Sequence, residues 1–362
     1  MKHGQRARFR IGYYFISDSD YPRNRRIREY LESLPDVEIV VHRRSTHRFR
    51  LVRLLTDVVT PFLTVGRYDA AFVAEYAINF ALFHTVAGKM RGVPIIVDGF
   101  VSKVETLVED WHRHRAKSPV GLLLRLVDWL AVVTSDLYLT DTELRARRVR
   151  QHYGTRYRVL SLPVGAPSWA KPLTPTPRKD VLRVLFYGLY VPLHGVDTII
   201  KAQRILEDTT PGRVALTLVG DGALRPATEE LVDRLGLGMC CSFREPVPET
   251  SLPSIIAEHD VVLGVFGDSA QAASVIPNKV WQGLACGRTV ITRRSEALDE
   301  IADIAGDQLV MVSAADPGAL ADALRRTAQR NSSSATNIAA RLEASTATRF
   351  DDLGAFLKEH GL

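Results

Sequence analysis

Cysteine is scarce in this 362-residue chain, which holds only Cys240, Cys241 and Cys286. None stands in a CxxC pair, and three cysteines cannot build a disulfide framework, so stapled secreted folds and Cys-rich zinc modules are excluded. This usage fits a reducing, cytoplasmic setting. Long apolar runs are also missing. The best candidate, Val120–Leu139, is interrupted by Arg125, Asp128 and Asp136, whereas a spanning helix needs about 20 predominantly apolar residues. Ile11–Ile16 is too short an apolar run for a secretory signal. The ten histidines form neither HExxH nor a paired zinc spacing, so no metal is expected. There is no Walker lysine motif, no nucleophile elbow and no GxGxxG after the first strand. P-loop phosphoryl transfer, serine hydrolysis and NAD-dependent oxidation all lose support.

What is present is ordinary globular material, 46% hydrophobic and 24% charged, long enough for two domains. Its charge is uneven. Met1–Arg178 holds 29 Lys+Arg against 17 Asp+Glu, a balance of +12, while Lys179–Leu362 holds 18 against 24, a balance of −6. The basic half predicts an anionic partner. Its arginines are scattered over several elements without a DNA- or RNA-binding motif, so nucleic acid is not the expected partner.

Hydrophobic periodicity predicts alternating strands and helices from the start. Phe9–Ile16, Val37–Val41, Ala70–Ala74, Pro94–Val97, Leu137–Leu139 and Tyr157–Leu160 read as strands. Arg23–Leu34, Phe49–Leu63, Ala77–Arg91, Gly121–Thr134 and Asp141–Tyr153 read as helices between them. Pro163–Pro177, with five prolines, reads as a linker. A second βα series starts at Val181, with strands at Val184–Tyr187, Val214–Val219, Val261–Val265 and Thr289–Thr292 and a short helix at Lys279–Cys286. The alternation implies an α/β chain of two doubly wound, mostly parallel sheets. The expected division is 1–165, a linker 166–180, a second domain 181–335, and a final helical segment 336–362.

Ligands of such sheets bind beyond the carboxyl ends of strands, which selects three loops. Gly188 to Gly195 joins a strand to a helix, and its glycines let backbone N–H groups approach an anion, with His194 offering a hydrogen bond or a charge. The same residues also fit a plain βα turn. In Val275-Ile276-Pro277-Asn278-Lys279, Asn278 suits an N-cap and Lys279 the first helical turn. A lysine opposes the helix dipole there unless an anion shares the site, although a surface lysine fits too. Gly220-Asp221-Gly222 lines a pocket or forms a tight turn.

At these loops the sequence resembles a GT-B glycosyltransferase of the large retaining family 4. The segments that carry the resemblance are LFYGLYVPLHGVDTI (Leu185–Ile199), LTLVGDG (Leu216–Gly222) and LGVFGDSAQAASVIPNKVWQGLACGRTVIT (Leu263–Thr292). The resemblance implies two Rossmann-like domains facing a cleft, the first binding an acceptor and the second a nucleotide-sugar donor, with no cofactor. It places Gly188, Gly195, Ile276, Pro277, Asn278 and Lys279 at the diphosphate and sugar. Gly220, Asp221 and the Arg244–Glu249 loop, including Val247, border the base. Ser274 and Gln282 stand where many members carry two glutamates, and Leu189 and His194 replace the usual Arg and Lys of the first loop. In this picture Lys279 and His194 stabilise the leaving diphosphate, Asp98 and Glu105 position the acceptor hydroxyl, and the final helix returns to the first domain.

The basic-apolar stretches His42–Arg53 and Trp111–Arg125 suit an anionic membrane surface and a lipid-linked acceptor, or a solvated helix face. The expected function is hexosyl transfer to a saccharide or lipid-linked acceptor in polysaccharide or glycoconjugate assembly, at the cytoplasmic side of a membrane. The alternatives are a weakly active or inactive GT-B scaffold and a nucleotide-sugar epimerase.

Overall fold

In the computed structural model, residues 8–16, 21–100, 102–104, 107, 115, 117–174, 180–329 and 337–362 are described. They divide into two compact units, Met1–Val164 with Thr346–Leu362, and Gly165–Ser345.

The first unit is built on strands β1 (Phe9–Tyr14), β2 (Val37–His42), β3 (Ala70–Val73), β4 (Ile95–Asp98), β5 (Leu137–Thr140) and β6 (Val159–Ser161). They form one sheet in the order β2-β1-β3-β4-β5-β6, parallel throughout. Between them run helices α1 (Pro22–Ser33), α2 (Arg50–Thr64), α3 (Ala81–Arg91), α4 (Pro119–Thr134) and α5 (Glu143–Tyr153). The central strands are apolar on both faces because both are covered, as a parallel sheet requires. Ile11, Tyr13, Phe72, Ile96 and Leu139 pack on one side. Tyr14, Val73, Val97 and Tyr138 pack on the other.

The second unit repeats the plan with β7 (Leu182–Tyr187), β8 (Val214–Val219), β9 (Cys241–Arg244), β10 (Val261–Leu263), β11 (Thr289–Arg293) and β12 (Leu309–Val312). Their order is β12-β11-β10-β7-β8-β9, again parallel. Its helices are α6 (Val196–Thr209), α7 (Arg225–Arg234), α8 (Leu252–Ala257), α9 (Asn278–Ala285), α10 (Asp299–Ala305) and α11 (Pro317–Gln329). A last helix, α12 (Ile338–Glu359), passes from the second unit into the first. There Phe350, Leu353, Phe356 and Leu357 complete the core around Ile27 and Leu31.

Two local readings change. The helix expected over Ala77–Arg91 starts as a 3₁₀ turn, Glu75–Phe80, before α3. Asn278 is the first residue of α9, and the cap position belongs to Pro277, which offers no side-chain cap. No helix among the described residues is long and apolar enough to cross a membrane.

Candidate functional site

In the second sheet the chain winds from β7 outward through β8 and β9, then returns to place β10 on the other side of β7. The loops leaving the carboxyl ends of β7 and β10 therefore diverge from neighbouring strands, the arrangement that opens a ligand crevice. Backbone hydrogen bonds join the two loops: Phe266 N–H donates to the His194 carbonyl at 3.0 Å and Gly267 N–H to that of Leu193 at 3.1 Å. This approach requires Gly195. Its φ is +60°, and a Cβ there would lie 2.6 Å from the Gly267 nitrogen. Gly220, with φ +127°, is held equally close, because a Cβ would come within 2.1 Å of the Gly188 carbonyl oxygen.

Two helices begin at these loops without a side-chain cap. α6 starts after Gly195 and α9 after Pro277. Their first N–H groups and the positive ends of their dipoles suit an anion.

Lys279, in the first turn of α9, is the charged member of the group. It is 5% exposed. Among the described residues its Nζ has no hydrogen-bond partner, and it lies 4.2 Å from the centroid of the Phe186 ring. A Cβ placed on Gly188 would be 3.3 Å from that Nζ and 3.5 Å from His194 Cε1, so the glycine keeps open the space into which both side chains project. Burial alone brings the Lys279 ammonium down to about 7.

Of the two roles open to His194, a hydrogen bond or a charge, the structure shows the hydrogen bond. Its Nδ1 bonds the Leu189 carbonyl, which makes Nδ1–H the donor and leaves Nε2 with a lone pair. Burial and the neighbouring Lys279 both push its pKa well below the usual histidine value. The ring is therefore a neutral, oriented group packed edge-on to Phe186 at 5.7 Å, and the positive charge belongs to Lys279.

The remaining donor-side residues fall into two groups. Ile276 is buried and Pro277 and Asn278 half-buried in the loop and first turn leading to Lys279. Asp221 is exposed, its carboxylate accepting from Gly222 N–H at 2.7 Å, while its carbonyl receives Tyr190 N–H at 3.0 Å. Val247 is half-buried beyond β9. Ser274 and Gln282 are both buried and engaged internally. The Ser274 hydroxyl donates to the Gln271 carbonyl at 3.0 Å, and Gln282 Oε1 accepts from the Tyr187 hydroxyl at 2.7 Å. Burial raises the Tyr187 pKa well above the usual value, so the phenol remains a donor.

In the first unit, Glu105 lies outside the described residues. Asp98 does not present a free carboxylate. It is the last residue of β4, 0% exposed, and both oxygens bind Arg23 at 3.0 Å, from Nε and Nη2. Arg23 also donates to the carbonyls of Leu162 and Thr140. Sequence reasoning missed Phe186, which lies in β7 and looks like a plain strand residue, and placed Tyr187 at the start of the first loop without a role. It also missed Glu75, whose Oε1 accepts from Asn24 at 2.9 Å while its buried Oε2 has no partner among the described residues. Burial and nearby Asp98 raise its carboxyl to about 7.

Two parallel six-stranded units of this topology, with glycine loops and uncapped helix ends at a strand-order reversal, define a GT-B protein of two Rossmann-like domains. Residues 182–330 match the model of the family described as glycosyl transferases group 1. Solved structures share the fold across nearly the whole chain. HepE (Alr3699) of Anabaena, in complex with UDP and glucose, is 14% identical with a TM-score of 0.71, over 96% of this chain and 99% of that one. Sucrose-phosphate synthase of Thermosynechococcus elongatus is 16% identical with a TM-score of 0.73, over 97% and 99%. The lipopolysaccharide outer core galactosyltransferase WaaB, in its apo form, is 13% identical with a TM-score of 0.65, over 96% and 99%. No curated protein matches the chain in sequence.

Proposed function

We propose that this chain transfers a hexose from a nucleotide-diphosphate sugar to a saccharide or lipid-linked acceptor, with retention, in polysaccharide or glycoconjugate assembly. One observation carries this reading: Lys279 holds a buried Nζ with no acceptor among the described residues, beside two uncapped helix N-termini. A diphosphate supplies the missing acceptors. That HepE structures contain UDP and UDP-glucose supports a donor of this chemistry.

In this reading the bond between the anomeric carbon and the β-phosphate oxygen breaks. Lys279 and the N–H groups of α6 and α9 stabilise the charge that develops on the departing diphosphate, without a metal. The acceptor hydroxyl adds from the same face and its proton goes to the departing phosphate oxygen. His194, fixed by Leu189, orients the wall of the site, and Gly220, Asp221 and Val247 border the base.

The test is calorimetric titration of UDP-, GDP- and ADP-glucose, followed by transfer assays with the one that binds. Lys279→Ala is expected to weaken donor affinity at least tenfold. Full affinity and turnover in that variant would overturn the assignment. The internal bonds of Ser274 and Gln282 favour a second reading, a donor-binding scaffold. Donor binding without turnover on any acceptor or on water would select it.

The same proposal places the chain peripherally on an anionic cytoplasmic membrane face. Supporting it, α2 exposes Leu51, Leu54, Leu55 and Leu63 beside Arg50 and Arg53, an interfacial pattern. Absence of co-sedimentation with phosphatidylglycerol vesicles at low salt would remove this part.

A further inference from the structure

The first unit contains an open cavity of about 470 Å³ between α4, α5 and the ends of β4 and β5, a volume suited to a small ligand. Arg125 and Trp129 of α4 and Arg148, His152 and Tyr153 of α5 line it. Among its described lining residues the charge is one-sided. The Asp128 carboxylate on the same wall is consumed by the Ser102 hydroxyl at 2.7 Å and by the N–H groups of Lys103 and Val104 at 3.2 and 3.1 Å. Arg145, deeper in, is neutralised by Asp141 at 2.9 Å. Among the described residues, no carboxylate pairs with Arg125, Arg148 or His152. Two arginines facing one cavity from different helices form a bidentate receptor for phosphate oxygens.

The wall continues as an apolar track. Leu122, Leu126 and Trp129 follow one another at helical spacing on α4, and all three are exposed, at 56%, 48% and 44%. Arg125 stands on the same stripe. A helix of a water-soluble unit gains nothing by exposing three large apolar side chains in line. α3 packs against both α4 and α2, so this track belongs to the helical side of the unit that also carries the exposed leucines of α2.

We infer that this cavity binds the phosphate-bearing head of an amphiphile, with Arg125 and Arg148 on the phosphate, Trp129 against the first groups of the ligand, and the alkyl chain along Leu122 and Leu126. This deepens the transferase reading, on which its role as an acceptor site rests, by naming the acceptor class: a phosphorylated lipid carrier or glycolipid. A membrane source and a free anion share the phosphate chemistry, and the alkyl track separates them.

The experiment titrates the full chain with n-dodecyl phosphate below its micellar concentration, with inorganic phosphate, and with n-dodecyl maltoside. Saturable binding of dodecyl phosphate is expected, at least tenfold tighter than either control. Arg125→Glu/Arg148→Glu should weaken it at least tenfold while leaving UDP-sugar affinity unchanged. Both residues are exposed, so the fold tolerates the change. Leu122→Ser/Leu126→Ser should weaken dodecyl phosphate and leave inorganic phosphate unaffected. Equal affinity for inorganic phosphate, equal affinity for the maltoside, or full dodecyl phosphate binding by the charge-reversed variant would each overturn the assignment. Lys279→Ala should retain dodecyl phosphate binding, so a failed donor site and a failed cavity give separate signatures.

Discussion

Arg23 and Asp98 meet through two parallel contacts of 3.0 Å, Nε to Oδ2 and Nη2 to Oδ1, with both side chains buried. The pair fastens the start of α1 to the end of β4, and through the Thr140 and Leu162 carbonyls it reaches the ends of β5 and β6. Removing one partner strands a buried charge, which costs about 3–5 kcal/mol. Asp98→Ala should therefore lower the urea midpoint strongly in the absence of any substrate. Replacing both residues with leucine should cost less than the sum of the single changes. A wild-type midpoint for Asp98→Ala would return the residue to a direct role in the reaction.

Lys279 gives the stability curve a defined slope. Its ammonium, ordinarily near 10.5, is brought to about 7 by burial. Between those values the unfolded chain holds a proton that the folded chain has released, so stability rises with pH across that window. Lys279→Met removes the penalty. The variant should be more stable than wild type at pH 6, by an amount on the order of a few kcal/mol, and the gap should close toward pH 10. A constant gap across pH would contradict the buried, unpaired ammonium. Donor binding near pH 8 should also take up protons, measurable as a calorimetric enthalpy that changes with the ionisation heat of the buffer.

Glu75 works with the opposite sign. Its carboxyl is raised from 4.5 to about 7, first by burial and then by Asp98. Here the folded chain keeps a proton that the unfolded chain has lost, so stability falls as pH climbs through that interval. Glu75→Gln keeps an acceptor for Asn24 and abolishes the charge. It should raise the melting temperature at pH 8, with the benefit vanishing near pH 4.5. Destabilisation by Glu75→Gln at pH 8 would show that the ionised carboxylate has a compensating partner.

Gly195 tests the joining of the two site loops. An alanine there must hold φ near +60°, a cost of roughly 1–2 kcal/mol, and must also displace the backbone at Phe266 and Gly267. Gly195→Ala should lose both stability and donor affinity. Gly212→Ala serves as the control, since it shares the positive φ, 68°, but has nothing within 4 Å of the added methyl. It should lose stability only. Equal donor affinity in the two variants would show that the loop contact does not shape the site.

The sequence made the architecture legible where the pattern is local. The strand run Val214–Val219 coincides with its element and the helical spacing of Phe49–Leu63 lies within one residue of α2, because apolar periodicity directly reports which face is covered. Gly188, Gly195 and Lys279 were grouped through the family resemblance, and a Cβ placed on Gly188 would lie 3.3 Å from the Lys279 Nζ. Contacts across the chain were not legible. Asp98 finds Arg23 from 75 positions away, and Gln282 finds Tyr187 from 95. Nothing in the neighbourhood of either residue announces a partner, so a carboxylate after a strand and an amide on a short helix both look available. Asn278 was misplaced for a local reason: Pro277, whose φ is −62°, occupies the cap position itself and pushes the asparagine into the helix.

Helix α12 makes the first unit discontinuous along the chain. Phe350, Leu353, Phe356 and Leu357 belong to the same core as β1 and α1, yet they are synthesised after the whole of the second unit. During translation, the surface they cover on Ile27 and Leu31 stays without its final layer until the second unit has emerged from the ribosome. The order of synthesis is therefore not the order of completion: the unit whose strands are made first receives its last core residues only after the second unit has been made.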